Sequence, residues 1–64
     1  MKNLKAQLRA EIKKVIMETN GNVLNAHINA IREKYNCGAC AVQNAYDYFQ
    51  YSPQQAAFRA KYNV

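Results

Sequence analysis

At 64 residues, with half of them apolar, a fifth charged and a formal net charge of +5, the chain suffices for one small domain spanning residues 1–64. A chain this short buries only about 60% of its unfolded surface, so a large substrate cleft and a second core are excluded. The positive balance favours polyanionic partners, and no apolar run approaches the roughly 20 residues of a membrane span.

The opening MKNLKAQLRAEIKK carries charge throughout and no apolar core of the kind a secretory leader needs, which makes the cytoplasm the expected address. From about Asn3 to Thr19, Leu4, Leu8, Ile12, Val15 and Ile16 recur at helical spacing. Beside that stripe Lys2, Lys5, Arg9 and Lys13 follow one another along a ridge that suits phosphate contact; an ordinary solvated helix face has the same composition. Thr19-Asn20-Gly21 should end this helix, because Asn and Gly tolerate the left-handed backbone that closes helices.

Asn22 is the expected N-cap of a second helix running to about Tyr35, with Leu24, His27, Ile28, Ile31 and Tyr35 on one face. His27, between Leu24 and Ile31, reads as a buried or half-buried structural histidine. After a break at Asn36 and Gly38, a third helix runs from Ala39 to about Gln50 with Val42, Ala45, Tyr46 and Phe49 facing inward. Ser52, Pro53 and Gln55 have the form of a cap, a first helical residue and a capping-box partner. The last short helix should reach about Lys61 and pack through Ala57, Phe58 and Tyr62. The expected fold is all-α: a small bundle of four short helices.

The corner between the second and third helices is the distinctive feature. Asn36 tolerates positive φ, Cys37 is an apolar plug, and Ile31, Tyr35, Val42 and Ala45 supply core positions on both sides. Over Ile31–Tyr46 this pattern resembles the helix-turn-helix superfamily, although Arg32 stands where that superfamily usually carries a small residue. The resemblance implies duplex DNA as partner, with the third helix in the major groove and Ala39, Cys40, Gln43, Asn44 and Asp47 facing the bases. Phosphate contacts would come from Lys2, Lys5, Arg9, Lys13, Arg32 and Lys34, with Arg59 and Lys61 as further cations, since the third helix carries no Lys or Arg.

Other chemistry is sparse. Cys37 and Cys40 form a C-x-x-C, but His27 is the sole histidine to join them and no strand offers a redox-fold setting, so neither metal nor cofactor is expected. Four scattered carboxylates and no glycine-rich loop argue against an enzyme. The surplus is in tyrosine: Tyr48, Tyr51 and Tyr62 are candidates for a protein-binding surface. Two functions therefore stand: a small DNA-binding protein acting in transcription regulation or as an accessory factor, with a second copy of the chain (a homodimer) as a candidate partner, and a helical adaptor or inhibitor. The latter, of the kind viruses and mobile elements encode, would dock on a larger host protein.

Overall fold

The computed structural model describes residues 3–62, so Lys2 lies outside the described residues. These residues are 83% helical and contain no strand. Four α-helices follow one another, α1 (Leu4–Thr19), α2 (Asn25–Tyr35), α3 (Ala39–Tyr51) and α4 (Ala56–Tyr62), with a 3-10 turn at Pro53–Gln55 leading into the last.

Each boundary has a local cause. Asn3 Oδ1 accepts from the Lys5 amide at 3.0 Å and caps the start of α1. Asn20 closes that helix at φ 56°, and Gly21 follows at φ 90°, its amide bonded to the Ile16 carbonyl at 2.9 Å. Asn36 repeats the device at φ 50° after α2, and the Cys37 amide returns to the Arg32 carbonyl at 3.1 Å.

The start of α2 lies two residues later than the sequence suggests. The Asn22 amide belongs to the preceding turn, bonded to the Thr19 carbonyl at 3.2 Å, and Val23 packs against the core, so Leu24 becomes the N-cap. His27 supplies the missing oxygen's counterpart: its Nδ1 accepts from the Leu24 amide at 3.0 Å. This half-buried capping role is structural, as the sequence suggests, but Leu24 itself is 53% exposed and not part of the core face.

The entry to α4 also departs from expectation. Ser52 makes no side-chain cap bond, and Gln55 donates to the Tyr48 hydroxyl at 3.2 Å in place of reaching back to Ser52. Ala57 is exposed; Phe58 and Tyr62 alone carry the packing of α4, with Phe58 5.3 Å from Phe49 and 4.8 Å from Tyr62 between ring centroids. Arg59 fixes the junction by donating to the carbonyls of Phe49 at 2.9 Å and Ser52 at 2.6 Å, where the C-terminal end of α3 favours a cation.

The core consists of Leu8, Ile12 and Ile16 from α1, Ile31 from α2, and Val42, Ala45 and Phe49 from α3. Both α1 and α3 bury residues at i, i+3 or i+4 spacing, so their apolar stripes meet along their length. Full burial of each Leu or Ile contributes about 1.5–3 kcal/mol. A core in a chain this small rarely supplies more than about 3–5 kcal/mol, so loss of any one of them removes a large share.

Candidate nucleic-acid interface

With 100° between successive residues, the buried side of α3 at Val42, Ala45 and Phe49 leaves Cys40, Asp47 and Tyr51 on the opposite side. Gln43 and Ala39 turn toward α2, where they line a shallow groove with Asn25, Ile28, Asn29 and Cys40. Asn44 and Ala41 turn toward α1, where they line a second groove with Leu4, Lys5 and Leu8. The outward face of α3 is therefore a ridge between two neighbouring helices. Ala39, Cys40, Gln43 and Asn44 are exposed there, and Asp47 is half-buried, accepting from Gln43 Nε2 at 3.0 Å.

The cations divide. On α1, Lys5 lies in the groove beside Asn44, Arg9 stacks over Tyr48 with 3.7 Å from guanidinium carbon to ring centroid, and Lys13 Nζ lies 5.9 Å from the Phe58 ring. This row follows the α1-facing flank of α3 and continues onto α4. Arg9 is nevertheless only partly available to a ligand: its Nε is buried without a hydrogen-bond partner, and its guanidinium carbon lies over the Tyr48 ring.

Arg32 is exposed just outside the turn, donating to Asn29 Oδ1 at 3.2 Å and lining a hollow with Asn36 and Cys37. Its partner Asn29 also lines the groove between α2 and α3, so Arg32 borders that groove on the turn side.

Lys34 is drawn elsewhere. Its Nζ is 2.6 Å from Glu11 Oε1, which also accepts from the Tyr35 hydroxyl at 3.1 Å. The Lys34 hydrogen bond holds the Glu11 carboxyl below its ordinary pKa, against partial desolvation, with Tyr35 adding to the effect. The same bond raises Lys34, and desolvation followed by the Glu11 contact raises Tyr35. This cluster ties α1 to α2 on the side of α1 away from Lys5 and Arg9, so Lys34 does not join the row beside α3. Arg59 is likewise committed, at the end of α3.

Of the tyrosines, Tyr48 is covered by Arg9 and bonded to Gln55, and Tyr62 packs against Phe58 with the rings tilted by 45°. Tyr51 is 75% exposed and shares the outward side of α3. Cys37 is half-buried against the core, as a turn plug should be, and Cys40 is exposed; both thiols are free. Among the described residues no three His, Cys, Asp or Glu side chains gather in a way that holds a metal ion. No helix of the described residues is long and apolar enough to cross a membrane.

Asn25 and Asn29 were not evident as site residues from sequence. They sit one turn apart on α2, and only the packing of α2 against α3 brings them beside Cys40 and Gln43. No family model, curated protein or solved structure matches the chain.

Proposed function

We propose that the protein binds duplex DNA, with the outward ridge of α3 entering the major groove. The observation that carries this reading is the position of α3: it projects between α1 and α2 with exposed amides at Gln43 and Asn44, while Lys5 and Arg9 border the Asn44 side. Side-chain amides suit a base edge that offers both a donor and an acceptor, and small residues such as Ala39 allow close approach. Lys5, Lys13 and Arg32 are exposed and supply phosphate attraction at the borders of the ridge, with Asn25 and Asn29 as neutral hydrogen-bonding partners for backbone oxygens. Repression or activation of a promoter, or an accessory role beside a larger enzyme, would both follow from such binding.

The competing reading is a docking surface for a protein. Exposure of Tyr51 favours it, but Tyr48 and Tyr62 are engaged internally, so no continuous tyrosine patch supports it. Titration of a fluorescent mixed-sequence duplex at low and at moderate salt separates the two. Binding that weakens steeply with salt supports the DNA reading; absence of binding at low salt refutes it.

A further inference from the structure

The Gln43–Asp47 pair carries a consequence for sequence preference, which rests on the DNA reading above. Gln43 has one amide oxygen and two N–H donors. One N–H goes to Asp47 Oδ1 at 3.0 Å, one helical turn along the same ridge. An ionised carboxylate only accepts, so turning the amide over would set two acceptor oxygens against each other. Among the described residues the one ion pair is Lys34–Glu11, so no cation draws Asp47 away from Gln43.

We infer that Asp47 is a positioning residue that fixes the Gln43 amide with one N–H and its oxygen outward, so that Gln43 selects adenine over guanine. The major-groove edge of adenine offers the N7 acceptor and the N6 amino donor, which pair with one N–H and one carbonyl oxygen. Guanine offers two acceptors, N7 and O6, and needs two donors. The second Gln43 donor is already committed to Asp47.

Asp47 thus departs from the base-contact role that its place on the outward face suggests. Its negative charge also opposes approach of any duplex, whatever the sequence. Loss of the carboxylate therefore acts in two directions: overall affinity rises while discrimination falls. A residue needed only for the fold would lower affinity across all sequences.

The test is selection from a pool of randomised duplexes, followed by titration of duplexes carrying adenine or guanine at the selected position. Wild-type protein should enrich adenine at a position whose preference disappears in Gln43→Ala. Asp47→Ala should reduce the adenine-to-guanine affinity ratio there by about fivefold to tenfold, within the range a bidentate base contact supplies, and bind mixed-sequence duplex at least as tightly as wild type. Asp47→Asn, close in shape and able to donate as well as accept, should fall between the two. In a Gln43→Ala background neither change should alter the ratio, because the reader is gone. An unchanged ratio in Asp47→Ala, or a uniform loss of affinity for every duplex, overturns the inference. Wild-type binding without any adenine preference also overturns it while DNA binding stands; no binding to any duplex overturns both.

Discussion

The guanidinium carbon of Arg9 lies over the Tyr48 ring, 3.7 Å from its centroid, and so ties the basic row of α1 to the flank of α3. Cation–π contacts of this kind contribute about 0.5–2 kcal/mol depending on desolvation, and the aliphatic stem of Arg9 adds packing. Arg9→Ala should lower stability by about 1–2 kcal/mol in urea unfolding followed by circular dichroism. Arg9→Lys should recover only part of this, because a lysine ammonium lacks the planar face that stacks. Equal stability of all three proteins would show that the stack contributes nothing.

The Glu11 cluster makes a prediction about pH. Its carboxyl is held below the ordinary value of 4.5, chiefly by the Lys34 hydrogen bond. A lowered folded-state pKa gives stability that is present above the unfolded value and lost as pH falls through the folded one. Lys34 and Tyr35 are raised above 10.5 and 10.0, so their contribution is present below those values and lost as pH rises past them. The cluster is therefore intact from about pH 5 to about pH 10. Between pH 5 and 3 the wild-type melting temperature should fall more than that of Glu11→Gln. Parallel curves for the two proteins would contradict the linkage.

Gly38 offers a gain in stability. It caps α3 with ordinary extended backbone, φ −79° and ψ 162°, and a Cβ built there meets nothing within 4 Å. Serine at this position adds an N-cap oxygen and removes backbone freedom from the unfolded chain, together about 0.5–1 kcal/mol. Gly38→Ser should raise the urea midpoint without changing its slope. By contrast Gly21, at φ 90°, has the backbone that disfavours a side chain, so Gly21→Ala should lower the midpoint.

The α3 ridge and its border should respond differently to substitution. Gln43→Ala and Asn44→Ala should each weaken binding to a selected duplex by about 1–3 kcal/mol and leave mixed-sequence binding nearly unchanged. Lys5→Ala should weaken all duplexes alike and reduce the salt slope by about 1. Lys34→Ala, with its ammonium committed to Glu11, should change stability more than the salt slope. The same loss at Lys34 and Lys5 in the salt series would show that the division of cations is wrong.

How much of this was legible in the sequence depended on the distance over which each feature is determined. The spacing of Leu8, Ile12 and Ile16, and of Val42, Ala45 and Phe49, encodes which helix faces meet, and Asn20 and Asn36 encode where the helices stop. These are local patterns and could be read directly. The Glu11–Lys34 and Glu11–Tyr35 contacts span 23 and 24 positions in the chain, and nothing local distinguishes Lys34 from a free surface lysine. Arg9 likewise reads as one member of a basic ridge until α3 brings Tyr48 beneath it. Ser52 stands at the N-cap and Pro53 at the first helical position, as local sequence suggests, but the capping box does not close: Gln55 reaches the Tyr48 hydroxyl, a partner outside its own helix. For the candidate site, the outward residues of α3 were readable from helical period, whereas the approach of Asn25 and Asn29 depends on how α2 crosses α3.

Amide chemical-shift mapping on titration with a short mixed-sequence duplex tests whether α3 is the surface offered to duplex DNA. The largest changes should fall at Cys40, Gln43 and Asn44, with a second group at Lys5 on α1 and at Asn29 and Arg32 on α2. Changes centred on the other side of α1, at Ala10 and Met17, or no changes at a duplex concentration above that of the protein, would contradict it.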